Sequence, residues 1–162
     1  MKSLLAALLW LVPIAVPASE PQPFQRGSWA ELLAAHRGRP TIVHFWGLTC
    51  GPCLAELSEW GKFRASRPDA DIVMIEAEPV PGPTEGVSAP LVKAGLDTVE
   101  SWWFASPFVE RLEYEVDPHW RGELPFTVLV DRDGSSETVL GPVDFSDLGK
   151  WLDRRRAHGS DK

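Results

Sequence analysis

Two cysteines, Cys50 and Cys53, are all that this chain of 162 residues contains, and both lie in the run VHFWGLTCGPCLAEL with Gly51 and Pro52 between them. Three chemistries use thiols at that spacing. The two thiolates can carry Cu(I), a soft ion, with His119 as a third ligand. They can form a disulfide that staples a binding module. Or they can exchange electrons with the thiols of another protein. A structural zinc site asks for more Cys or His ligands than the chain offers near the pair. A staple across so short a loop removes little entropy from the unfolded chain, so it stabilises weakly.

The elements that must position the pair surround it. TIVHFW (Thr41–Trp46) is rich in β-branched and aromatic residues and carries no Asp, Glu, Lys or Arg, as a buried strand does. After it, Cys53, Leu57, Trp60 and Phe63 recur at three to four residues, which predicts a helix over Gly51–Ser66 that stops before Pro68. Cys50 at the opening of that helix lies among unpaired N–H groups at the positive end of the dipole. Thiolate is favoured there, and its pKa falls below the ordinary value of about 8.5. Cys53, one turn on, is close enough to close a disulfide and further from solvent. DIVMIEA (residues 71–77) reads as a second strand, so strand–helix–strand implies a parallel pair with a crossover.

Outside this unit, SWAELLAAHRG has the spacing of a capping box from Ser28 to Glu31 and predicts a helix ending at Gly38. Residues 78–90, EPVPGPTEGVSAP, are too rich in Pro and Gly for a regular element and read as a loop, with a short helix at about residues 89–94. TVESWWFA reads as a strand. SPFVERLEYEV predicts a helix capped by Ser106 with Pro107 in its first position. FTVLVDRDGSSETVLG reads as a hairpin, and DFSDLGKWLDRRR as an amphipathic helix with Leu148, Trp151 and Leu152 inward. No internal repeat or low-complexity tract interrupts the chain.

The N-terminus, MKSLLAALLWLVPIAVPASEP, has one Lys, an apolar run broken by Pro13, and a small residue at Ala18. That is the pattern of a secretory signal at residues 1–18, with an uncleaved membrane anchor as the competing reading. Removing 18 of the 162 residues leaves 144, a single domain over residues 19–162. It also removes Lys2, taking the net charge from −7 to −8. An acidic domain with no basic run is a poor partner for nucleic acid or an anionic membrane. Export places the cysteines where disulfides persist, in the periplasm or another external compartment.

FWGLTCGPCLAEL resembles the thioredoxin-like family and, within it, the exported TlpA/ResA-type thiol–disulfide oxidoreductases. ELPFTVLVDRDG resembles that family's second signature, a cis-proline followed by a strand and hairpin. The resemblance spans roughly Ser28 to Trp151. It implies an α/β fold with a central mixed β-sheet flanked by helices, and a redox-active Cys50–Cys53 disulfide in place of any cofactor. It implies that Cys50 attacks and Cys53 resolves, that Glu56 matches the family's Glu three residues past the second Cys, and that Pro125 is cis. Thr49, Gly51, Pro52 and Leu124 then line the substrate site, with the Leu124 backbone able to pair with a partner's extended chain. The partners implied are protein thiols or disulfides, such as those of apocytochrome c or copper-site cysteines, and a membrane electron donor.

Two further residues carry chemistry of their own. A partly buried Glu56, one turn past Cys53, can accept or return the proton of that thiol. His44 lies in the strand where thioredoxins proper have a buried Asp; as a buried imidazole it is a candidate proton relay, with its pKa lowered by desolvation. Thr49 replaces a usual Trp, which reduces the apolar rim. Ser58 replaces a usual Pro, so the helix need not kink. Trp102, Trp103 and Trp120 are expected mainly in the core, with one or two near Pro125 free to line a partner groove.

Overall fold

A computed structural model describes residues 20–78 and 85–157. The proposed signal, its cleavage point at Ala18 and the Pro-rich part of the loop at residues 79–84 lie outside the described residues.

Thr41–Trp46 forms β2, buried at every position, and Gly51–Ser66 forms α2 without a break at Ser58. Asp71–Glu76 forms β3, parallel to β2 with Thr41 opposite Asp71 and Trp46 opposite Glu76. β4 (Glu100–Phe104) continues the parallel set, and β5 (Phe126–Val130) returns antiparallel to β2 with Phe45 opposite Phe126. β6 (Ser136–Leu140) completes the expected hairpin. A three-residue strand, β1 (Gln22–Phe24), pairs parallel with β4. The result is one mixed sheet of six strands, ordered β1-β4-β3-β2-β5-β6.

Strand alternation divides the core. Ile42 and Trp46 face α2, α3 (Glu85–Lys93) and α5 (Phe145–Ala157), whereas Val43 and Phe45 face α1 (Ser28–Ala35) and α4 (Val109–Val116). Leu148, Trp151 and Leu152 are buried in the first of these layers, as the amphipathic pattern of α5 requires.

Three local expectations are corrected. Ser28 is the first residue of α1, not its cap. Gly27 takes the cap position at φ 90°, and Ser28 Oγ instead accepts the Gln25 N–H at 3.0 Å. α4 begins at Val109, because Ser106 spends its hydroxyl on a tight turn to the Phe108 N–H at 3.2 Å. α3 starts within the tract read as loop and runs through Pro90; burial of Val87 and Leu91, one turn apart, outweighs the hydrogen bond that Pro90 cannot donate.

Candidate active site

The C-terminal ends of β2, β3 and β4 meet the N-terminal end of β5 along one edge of the sheet, and the cysteines lie there. Gly47 to Thr49 leave β2, and Cys50 takes the N-cap position of α2 in an extended conformation. Its sulfur accepts the Cys53 N–H at 3.2 Å, one of the donors that the first helical turn leaves without a backbone acceptor. Cys50 and Cys53 are joined as a disulfide. Cys50 is partly exposed and Cys53 is 0% exposed, packed with Trp46, Leu57 and Trp60. Gly51, Pro52 and Thr49 are exposed around the pair.

The Leu124–Pro125 bond is cis. Since Phe126 pairs with Phe45, Pro125 lies across from the end of β2, beside the point where the chain departs for Cys50. Its carbonyl accepts the Gly141 N–H at 2.8 Å. Leu124 is half-buried against the core cluster that contains Cys53, and Cys50 flanks the same cluster. The two sequence signatures therefore share one sheet edge.

Below the disulfide lie two buried titratable groups on neighbouring elements. Glu56, 7% exposed, accepts the Val143 N–H on Oε1 at 2.8 Å. His44, 0% exposed, has Nδ1 2.9 Å from Thr127 Oγ1 and its ring tilted against Trp60 at 4.5 Å. His44 Nε2 and Glu56 Oε2 are 3.9 Å apart, and neither has a hydrogen-bond partner among the described residues. Burial pushes the Glu56 carboxyl above the usual carboxylate range, against the opposing pull of the Val143 N–H and the Trp60 side chain. The same desolvation drives His44 down to about 3, so its imidazole is neutral at any physiological pH.

Other residues are placed differently from the sequence expectation. Trp120 is buried, stacked on Phe126 at 4.6 Å with its indole N–H on the Glu123 carbonyl, so it lines no groove; Trp102 and Trp103 are half-buried. His119 is exposed and paired with Asp117 at 3.2 Å. No three His, Cys, Asp or Glu side chains among the described residues converge as a metal site, so His119 is not brought to the thiols as a copper ligand. Two residues escaped the sequence reading altogether. Glu76, at the end of β3, and Glu78 hold the turn that precedes Cys50. The available signal was a pair of carboxylates, one ending β3 and one two residues past it, after the apolar run IVMI.

Among solved structures, a secreted disulfide oxidoreductase of Mycobacterium tuberculosis superposes with a TM-score of 0.59 at 20% identity, covering 75% of this chain and 85% of that one. StoA of Bacillus subtilis superposes with a TM-score of 0.54 at 24% identity, covering 71% and 83%. The fold is thioredoxin-like. No protein-family model matches the chain. In sequence, the chain is 23% identical over 167 residues to the sporulation thiol-disulfide oxidoreductase A of Bacillus subtilis, covering 93% of this chain and 92% of that relative. No helix among its described residues is long and apolar enough to cross a membrane.

Proposed function

We propose that this thiol–disulfide oxidoreductase works outside the cytoplasm and reduces disulfides in partner proteins, with Cys50 attacking and Cys53 resolving. The observation that carries the reading is the asymmetry of the pair. One sulfur caps a helix at the surface; the other is wholly buried one turn inside. In the dithiol form, the Cys50 thiolate attacks one sulfur of the partner disulfide. A bond forms between Cys50 Sγ and that sulfur, and the partner's other sulfur leaves as a thiolate. Cys53, deprotonated, then attacks Cys50 Sγ, which closes the Cys50–Cys53 disulfide and releases the partner's second thiolate. Two electrons have passed to the partner. A dithiol donor must return them; the family resemblance implies a membrane-bound one.

The proton that Cys53 gives up is assigned to Glu56. The two residues are neighbours on one face of α2, and a carboxyl held above its usual range is a better proton acceptor than an ordinary exposed one. His44 is the candidate relay beyond Glu56, with Nε2 3.9 Å from Glu56 Oε2; its ring stays neutral only if Nε2 takes up a proton as Nδ1 releases its own to Thr127 Oγ1, 2.9 Å away. The reducing direction is supported by the Gly-Pro dipeptide between the cysteines, which resembles thioredoxin's own pair, toward the about −270 mV end of the range for this fold. Export is supported by the leader-like residues 1–18 and by the secreted Mycobacterium neighbour. Cysteine pairs that later hold haem or copper are the substrate class that the resemblance implies.

Cys53→Ser expressed in the native host should accumulate a mixed disulfide through Cys50, and mass spectrometry of the adduct names the partner. If Cys50 captures nothing, and the purified protein reduces no model disulfide, this reading is overturned.

A further inference from the structure

The turn from β2 to Cys50 is held by side chains from the neighbouring strand rather than by its own backbone alone. Trp46 and Glu76 are register partners at the ends of β2 and β3, and the Ala77 N–H donates to the Trp46 carbonyl at 2.9 Å. From that point the two chains separate, and carboxylates bridge the gap. Glu76, 0% exposed, accepts the Glu78 N–H on Oε1 at 3.1 Å; its Oε2 is buried without a hydrogen-bond partner among the described residues, and burial pushes the carboxyl up to about 7 against the weaker pull of the Glu78 and Leu48 backbone N–H groups. Glu78 then accepts the Thr49 N–H on Oε2 at 2.8 Å and the Thr49 hydroxyl on Oε1 at 2.7 Å. A Cβ on Gly47 would collide with the Glu78 side chain, so Glu78 lies directly against the turn. Within the turn, the Cys50 N–H donates to the Gly47 carbonyl at 3.3 Å.

We propose that Glu76 and Glu78 are positioning residues: a two-carboxylate clamp that holds Gly47–Thr49 and so keeps Cys50 in register with Cys53 when the disulfide is open. This rests on the Cys50/Cys53 dithiol–disulfide reading and names the device that sets its poise. In the oxidised protein the sulfur–sulfur bond itself tethers Cys50 to α2. In the dithiol that tether is gone, and the clamp is what confines Cys50 within reach of Cys53. Confinement raises the effective concentration of one thiol at the other, which favours the disulfide and makes the protein more reducing. The same confinement brings Cys53 to the mixed disulfide quickly. Glu76 is the buried anchor and Glu78 the arm that touches the turn. Thr49, exposed and adjacent to Cys50, is the handle they grip.

The test is the equilibrium of the Cys50–Cys53 pair with reduced and oxidised glutathione, which needs no physiological partner. In Glu78→Ala the effective concentration should fall by roughly three- to tenfold, and tenfold corresponds to about 30 mV toward a more oxidising potential. Glu78→Gln, which keeps an acceptor for Thr49, should recover much of the loss. Thr49→Val separates position from charge, since it leaves both carboxylates in place. It should shift the potential in the same direction without lowering the Cys50 thiol pKa, read from the pH profile of alkylation. Glu76→Ala opens a cavity and can unfold the edge, so Glu76→Gln serves with it, each checked by circular dichroism. Folded Glu78→Ala and Thr49→Val proteins that match the wild-type equilibrium within about twofold overturn the clamp. So does a Glu78→Ala whose only change is a lower thiol pKa. A wild-type protein that equilibrates with glutathione but reduces no protein disulfide sinks the functional reading and leaves the clamp standing.

Discussion

Two buried histidines lie toward opposite ends of β2, and they are in opposite states. His36, 5% exposed, precedes the strand; His44, 0% exposed, lies near its far end beside the cysteines. His36 has Nδ1 2.7 Å from Asp71 Oδ2 and Nε2 3.1 Å from Glu100 Oε2. Hydrogen bonds to these two carboxylates outweigh desolvation and push it up to about 9. His44 meets a neutral hydroxyl at 2.9 Å and a carboxyl only at 3.9 Å, so desolvation acts unopposed and takes it to about 3. Burial is nearly equal; the partners differ. One end of the sheet is stapled by charged pairs; at the other, burial keeps the histidine neutral and raises Glu56 above the usual carboxylate range, so that this carboxyl takes a proton more readily than an exposed one would.

The largest expected effect is at the charged end. His36→Leu removes the cation between Asp71 and Glu100 and leaves only the exposed Arg39, with Nε 3.4 Å from Asp71 Oδ2, and urea denaturation should show a loss of about 2–3 kcal/mol. That lies at or below the value for a fully buried pair, because these carboxylates remain 22% and 32% exposed. A loss under about 0.5 kcal/mol would mean the triad holds nothing.

The pH dependence follows from the same triad. The folded pKa of His36, about 9, lies above its ordinary 6.5, so its contribution is fully present below pH 6.5 and is lost as pH rises through 9. Asp71 and Glu100 are lowered, so theirs is present at neutral pH and is lost as pH falls below the ordinary carboxylate range. Between pH 6.5 and 9 wild-type stability should decline by about 2 kcal/mol more than that of His36→Leu, which keeps only the smaller decline that both proteins share as Glu76, pushed up to about 7, ionises. Parallel curves for the two proteins would refute the assignment.

At the neutral end the readout is a rate. Glu56→Gln keeps an acceptor for the Val143 N–H but cannot take a proton. The release of partner from the mixed disulfide should slow roughly tenfold at pH 7, worth about 1.4 kcal/mol of barrier, with the fold intact. An unchanged release rate removes Glu56 from the proton path.

The smallest effect sharpens the contrast most directly. His44→Asn should cost under about 1 kcal/mol, since a neutral amide can still meet Thr127. Imidazole nitrogen shifts by NMR should show the His44 ring neutral down to pH 5 while the His36 ring stays charged to pH 8. A His44 ring that titrates near 6.5 contradicts its burial without a charged partner.

What the chain determines by itself is local. Strand β2 follows from an uncharged β-branched run, α2 from apolar spacing, the hairpin from DRDG, and the disulfide pair from Cys-x-x-Cys placed where a strand feeds a helix. Each depends on residues a few positions apart, whose preferences act before anything packs. What only the tertiary structure decided is who stands next to whom. Gln22–Phe24 is a strand because β4 offers it an edge, far along the chain. Ser28 and Ser106 lost their cap roles to nearer backbone donors. His36 is charged because β3 and β4 begin beside it, and Glu76 and Glu78 grip the cysteine turn because β3 ends beside β2. Protonation and positioning depend on distances of a few ångströms between elements distant in sequence, and spacing along the chain carries no record of them until the sheet has formed.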